Sequence, residues 1–195
     1  MAILPVIKYG HPTLRKMAQP VRPEEIDSRF IEDMIETMLA LDGAGLAANQ
    51  VDSLQKILVA VEPKKDMIHV LINPVIAGYS ERSETDSEGC LSLPGLQATV
   101  ERHSKIVVNA LTPDGEKVEI QARGLFARIL QHEIDHLNGI LYIDRADLDT
   151  LVWLRDVSEK EVMTEPATLE EVQKAYNKQY HKAVPLSVFS PPKNT

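Results

Sequence analysis

His132 and His136 stand four residues apart in the run Gln131-His132-Glu133-Ile134-Asp135-His136-Leu137-Asn138-Gly139. Four residues is just over one helical turn, so both imidazoles leave the same face of a helix. Two convergent imidazoles can hold a divalent metal, and a carboxylate directly after the first is placed to work on water activated there. The flanking residues supply the helix. At about 100° per residue, Leu125, Phe126, Ile129, Leu130 and Leu137 share a side with His132, Glu133 and His136, while Ala127, Arg128, Gln131, Asp135 and Asn138 fall opposite. The candidate ligands therefore point toward apolar surface, where imidazoles need partners. Asn138-Gly139 is the natural stop, because glycine tolerates a left-handed cap.

Two imidazoles make an incomplete site. Cys90, the lone cysteine, lies in Glu88-Gly89-Cys90-Leu91-Ser92. As a third ligand its thiolate would complete a compact tetrahedral site with one open position. It reads equally as a buried free thiol behaving as a small hydrophobe. Its setting is unlike a plain core position, since Gly89 lets backbone approach and Glu88 and Ser92 are polar. A third stretch, Gly43-Ala44-Gly45-Leu46-Ala47-Ala48-Asn49-Gln50, carries little side chain. It reads as a tightly packed helix terminus, or as a wall against which an extended ligand lies on backbone. In the second reading the Gln50 amide could donate to a developing negative charge.

The remaining composition narrows the class. A chain of 195 residues is one domain, or one domain with an appendage. The formal charge of −8 argues against broad nucleic-acid binding, DNA included, which needs a basic field. No apolar run approaches a membrane span, and no secretory leader is visible. A single cysteine fits a reducing cytoplasm.

The elements that must carry these residues are α+β in class, with antiparallel or mixed sheets packed around the central histidine-bearing helix. Pro23 to Leu41 reads as an amphipathic helix. Strands are expected over 55–62 and 67–72, the second interrupted by Asn73-Pro74. Residues 79–88 read as a loop or exposed edge. Gln97–Arg102 alternates, and Ile106–Leu111 and Val118–Ala122 form a hairpin across Pro113-Asp114-Gly115. A short strand is expected over Ile140–Ile143. The division expected is a catalytic domain over 1–157 and an extension over 158–195. The extension holds a helix of about 168–183, opened by a Thr168/Glu171 capping box, and a loose Pro-rich tail.

Taken together, three segments resemble the peptide deformylase family. Gly43 to Gln50 is similar to its Gly-x-Gly-hydrophobic-Ala-Ala-x-Gln motif, Glu88 to Ser92 matches its second motif, and Gln131 to Gly139 its third. Their order and separations fit as well. The resemblance runs from the His11-Pro12-Thr13-Leu14-Arg15 segment to about residue 155. It implies that Cys90, His132 and His136 bind the metal, that Glu133 is the catalytic acid/base, and that the Gln50 amide and the Leu91 N–H form the oxyanion hole. It implies a nascent peptide beginning with N-formylmethionine as substrate, with Ala44, Gly45 and Gly89 pairing to its backbone. Leu125 and Ile129 would line the methionine pocket, and Arg102 would lie near the peptide, partnered with Glu88. In such enzymes the native ion is often ferrous iron, with zinc, nickel or cobalt able to take its place. The ligand set by itself suits zinc.

Two positions depart from the family pattern. Asp52 stands where glycine is common, and His103 adds a titratable group near the expected groove. Lys174, Lys178 and Lys182 form a stripe on the C-terminal helix, which reads as a ribosome-docking face or as a solvated one. Other functional readings are a His-Glu-x-x-His zinc peptidase and a non-catalytic module with a structural metal. The resemblance favours a bacterial-type cytoplasmic enzyme, with an organelle origin also compatible.

Overall fold

The computed structural model describes residues 2–158 and 161–180. Nine strands form two antiparallel sheets among the described residues. The first has five strands in the order β1 (Gly45–Ala47), β2 (Ile57–Glu62), β3 (Met67–Tyr79), β6 (Lys105–Leu111) and β7 (Lys117–Arg123). The second has four, in the order β4 (Ser83–Cys90), β5 (Leu93–His103), β8 (Ala146–Ser158) and β9 (Glu161–Pro166). Among the described residues three α-helices and four short 3₁₀ turns complete the fold, the α-helices being α1 (Ser28–Ala40), α2 (Leu125–Leu137) and α3 (Leu169–Tyr180). The class is α+β, and every strand pair in both sheets is antiparallel.

Burial explains β2. Its Ile57-Leu58-Val59-Ala60 run is continuous rather than alternating because both faces are covered. Ile57 and Val59 pack with Met34 and Met38 of α1, and Leu58 and Ala60 pack with Leu130 and Ile134 of α2. The hairpin between β6 and β7 turns at Gly115, whose φ of 81° suits a residue without Cβ.

Several elements differ from their sequence expectation. The N-terminal helix is a turn at Pro23–Glu25 followed by α1, which starts where Asp27 accepts a bond from Arg29 N–H at 2.9 Å. Strand β3 does not stop at Asn73-Pro74. Asn73 takes a φ of 53°, and its amide makes two 2.8 Å bonds to the Val21 backbone, so the strand kinks and continues to Tyr79. Residues 83–90 form the edge strand β4, although few of its side chains are apolar. Residues 140–143 are not a strand. The chain there closes a tight turn over Tyr142–Asp144, pinned by Leu141 N–H to Asp144 at 2.7 Å.

The face of α2 opposite the histidines is buried as well. Arg128, Gln131 and Asp135 are buried together with the apolar side, because the helix has a sheet on either side. Beyond β8, β9 pairs with it through Glu161 and Pro166, and α3 opens on the Thr168/Glu171 capping box. Val172 and Tyr176 are buried in one cluster with Tyr9, Leu14, Leu96 and Leu141. Residues 161–176 thus share a core with the first hundred. Lys174 is exposed, while Lys182 and the end of the expected helix lie outside the described residues.

Candidate metal centre

The last residue of β4, Cys90, faces α2. Its Sγ lies 3.2 Å from His136 Nε2, and the two imidazole Nε2 atoms are 3.2 Å apart. The three atoms all lie within 4.8 Å of one another. Two ring nitrogens and a sulfur facing one point in a buried place are a poor arrangement on their own and a good one around a cation. Second-layer bonding agrees. His132 Nδ1 bonds to Glu88 at 2.9 Å, which fixes the ring so that Nε2 presents its lone pair to the centre. Burial pulls both rings toward the neutral form. For His132 the bonds to Cys90 and Glu88 outweigh that and raise it, whereas His136, facing His132, is driven well below its ordinary value. The residues present fit a divalent ion.

Glu88 is the brace of this arrangement. Burial alone would raise its pKa, but bonds from His132 and Arg102 hold the carboxyl well below the usual carboxylate range. Arg102 grips it in a fork at 2.9 and 3.0 Å, and Arg128 donates at 2.7 Å. Arg102 also pairs with Asp135, which Arg145 forks at 2.7 and 2.8 Å. A chain of alternating charges thus runs from the metal-facing ring across α2.

Glu133 is 4% exposed, and its Oε2 has no hydrogen-bond partner. Burial pushes its pKa up to about 7, so it can take and return a proton near neutrality. Gly45 makes room for it, since a Cβ there would stand 2.5 Å from Glu133 Oε1 and 2.7 Å from Cγ. Gly45→Ala should push the carboxyl aside and lower kcat about 100-fold, the order expected for an ångström of misplacement. Steady-state kinetics checks this, and an unchanged kcat would show that Glu133 can yield freely.

Gln50 sits on the helical turn Ala48–Val51. Its Oε1 accepts from Ala47 N–H at 2.8 Å, which turns Nε2 toward Cys90 Sγ at 3.5 Å and Ser92 Oγ at 3.3 Å. Residues 7–9 strap the neighbourhood together. Ile7 N–H bonds Gln50 O at 2.8 Å, Lys8 Nζ bonds Leu91 O at 2.9 Å, and Tyr9 N–H bonds Ser92 O at 2.9 Å. Nothing in the sequence marked this strap, whose signal is three ordinary residues before a His-Pro turn. Asp52 takes a φ of 62°, so a glycine-like conformation survives there, and Asp52 accepts from Thr13 Oγ1 at 2.6 Å.

A cleft of about 560 Å³ opens over these groups. Ala44, Gly45, Gln50, Glu88, Gly89, Cys90, Leu91, Leu125, Ile129, His132 and Glu133 all border it, as does Arg128. His136 lies deeper, 0% exposed. Arg102 does not border the cleft. It is 5% exposed, because its guanidinium is taken by Glu88 and Asp135 behind the metal-facing ring. His103 is also elsewhere, bonded to Ser80 O at 2.8 Å and set against the Tyr79 ring. The sequence reading missed Arg128, Asp135 and Arg145. Their only signal was position on or just after the histidine helix, and that spacing pointed outward.

The family model described as polypeptide deformylase matches residues 3–151. A peptide deformylase of Psychrobacter cryohalolentis is 42% identical over 146 residues, covering 74% of this chain and 79% of its own. One from Thermoanaerobacter pseudethanolicus is 44% identical over 168 residues, covering 85% and 99%. Among solved structures, the Met-Ala-Ser-bound class I type b peptide deformylase of Acinetobacter baumannii superposes with a TM-score of 0.70 at 38% identity. That match covers 74% of this chain and all of the other. With its cysteine, first histidine and glutamate on one cleft and its second histidine just beneath it, this chain belongs to the polypeptide deformylase family.

Proposed function

We infer that this chain is a metal-dependent hydrolase that removes the formyl group from the N-terminal formylmethionine of newly made polypeptides, releasing formate. The observation that carries the reading is the convergence of Cys90 Sγ and two imidazole Nε2 atoms beside the buried Glu133 carboxyl, whose Oε2 has no hydrogen-bond partner. Among the described residues three ligand atoms converge, not the four of a closed structural site.

Cys90, His132 and His136 would hold the ion on α2, the central metal-binding helix of this fold, and β4. We take it to be ferrous iron natively, with zinc, nickel or cobalt as competent substitutes. A divalent ion there supplies Lewis acidity toward water and the formyl oxygen. Glu133 takes the proton from the attacking water and returns it to the leaving amine, for which a pKa near neutrality suits both directions. Gln50 Nε2 and the Leu91 N–H donate to the oxygen that gains negative charge as the carbonyl carbon becomes tetrahedral. Because Gln50 is bonded at Oε1 and strapped at its carbonyl, its Nε2 is held beside Cys90.

The substrate backbone has two free sheet edges to use. β1 and β4 each end a sheet, and Ala44, Gly45 and Gly89 of these edges border the cleft. Leu125 and Ile129 supply apolar surface for the methionine side chain. A carbonyl carbon carrying only hydrogen fits beside Glu133 and Gln50, where a methyl group would collide. Glu88 shapes the cleft wall, and Arg102 acts through it rather than on the peptide.

The catalytic residues fall within 1–157, and α3, packed on the same core, presents Lys174 as one element of a surface for ribosomal RNA. No helix of the described residues is long and apolar enough to cross a membrane, and we assign the enzyme to the bacterial-type cytoplasm. The test is an anaerobic assay of formate release from formyl-Met-Ala-Ser, with metal analysis of the same sample. Formate release that a chelator abolishes and ferrous iron restores is expected. Equal rates on the acetyl peptide, or full activity without metal, would overturn the reading.

A further inference from the structure

The cleft wall is not uniformly apolar where the first side chain of a peptide would rest. Arg128 lies between Leu125 and Ile129 in sequence, one turn before His132, and borders the cleft with them, and also a smaller cavity beside Glu84. It is 8% exposed. Two of its nitrogens are anchored. Nη1 donates to Glu88 Oε1 at 2.7 Å and Val100 O at 2.8 Å, and Nη2 donates to Glu84 O at 2.6 Å. A guanidinium has five N–H donors. Three are spent, which leaves Nε–H and one Nη2–H with no acceptor among the described residues. The anchors hold the planar group rigidly, so any acceptor reaching it meets a fixed, charged donor at little entropic cost.

We propose that Arg128 is a specificity-determining residue, and that it lets the first-side-chain pocket accept a chain ending in a hydrogen-bond acceptor, methionine sulfoxide above all. This deepens the deformylase reading and rests on it. A thioether sulfur is a weak acceptor, whereas a sulfoxide oxygen is a strong one on a chain of nearly the same length and shape. A pocket with apolar walls alone would have to desolvate that oxygen without return. Here Leu125 and Ile129 take the methylene stem, and the spare guanidinium protons take the oxygen. Formyl-methionine peptides oxidised at the first residue are thereby substrates.

The test compares kcat/KM for formyl-methionine-sulfoxide-Ala-Ser with that for formyl-norleucine-Ala-Ser, which has the stem and no acceptor. The ratio is read in one preparation at a time, so the fraction of active, metal-loaded enzyme cancels. In the unaltered protein the sulfoxide peptide should be hydrolysed within about tenfold of the norleucine peptide. In Arg128→Leu the ratio should fall by tenfold or more, the range of one charge-assisted hydrogen bond. Arg128→Lys, which keeps a cationic donor without the fork, should recover part of it. A purely bracing role for Arg128 would lower both rates in each variant and leave the ratio unmoved, and that result overturns the proposal. Sulfoxide peptides rejected by the unaltered protein overturn it too, with the deformylase reading intact if norleucine peptides still release formate. If neither peptide releases formate, both readings fall.

Discussion

Glu133→Gln is expected to lower kcat at least a thousandfold while leaving the thermal midpoint unchanged or higher. The two halves of this result have one cause. Glu133 is buried with an oxygen that no donor satisfies, so ionising it in the fold is unfavourable and its pKa rises to about 7. A glutamine of the same shape removes that cost, yet cannot accept a proton from water or hand one to the amine. General acid–base transfer contributes about 100- to 10,000-fold, and in the proposed mechanism one group serves in both directions. Metal content should stay at one ion per chain, because Glu133 is not among the three convergent ligands. Kinetics with calorimetry and metal analysis on one sample checks all three. A variant that loses its metal, or its fold, would show that Glu133 is a structural residue.

Glu88→Gln is expected to destabilise the fold by about 3 kcal/mol, the lower end of what breaking a buried ion pair costs. Four donors converge on the Glu88 carboxylate, two from Arg102 and one each from Arg128 and His132. A neutral amide leaves two buried guanidiniums short of counter-charge, and its NH₂ points like a donor at other donors. Asp135 still serves Arg102, and Val100 and Glu84 carbonyls still serve Arg128, which keeps the loss from the upper end. His132 also loses the acceptor that orients it, so metal affinity should drop 10- to 100-fold. Urea unfolding of the metal-free protein and competition with a coloured chelator measure the two effects separately. Unchanged affinity with lowered stability would mean that His132 orients without Glu88.

The residues of the site were more legible than the elements around them. His132, Glu133 and His136 are close in sequence, and i to i+4 spacing on a helix translates directly into a shared face. Cys90 was ambiguous by spacing, and only the fold brings it to within 3.2 Å of His136. Arg128 and Asp135 misled for a physical reason. Hydrophobic periodicity separates apolar from polar, and it has no means to distinguish water from a buried lattice of opposite charges. β4 was hidden in the same way. Ser83-Glu84-Thr85-Asp86-Ser87-Glu88 shows no alternation because its one buried side chain in that run is an acid, Glu88. Ile140–Ile143 has strand-like composition, but Asp144, paired with Arg15 from the far end of the chain, closes a turn there instead. The packing of Val172 and Tyr176 against Tyr9 and Leu14 likewise depends on partners more than 150 residues away in sequence.

The strap at residues 7–9 has a consequence for timing. Lys8 meets Leu91 across 83 residues, Arg15 meets Asp144 across 129, and Ala18 N–H bonds Leu137 O. Residues 8–18 are therefore fastened by residues that are synthesised 83 to 129 positions later. Such distant pairing slows folding to the regime of β-rich domains, milliseconds to seconds. An enzyme whose work is trimming the beginnings of other proteins thus cannot close its own fold until residue 144 has been made. The segment from Ile7 to Ala18 is by then a clasp on the site.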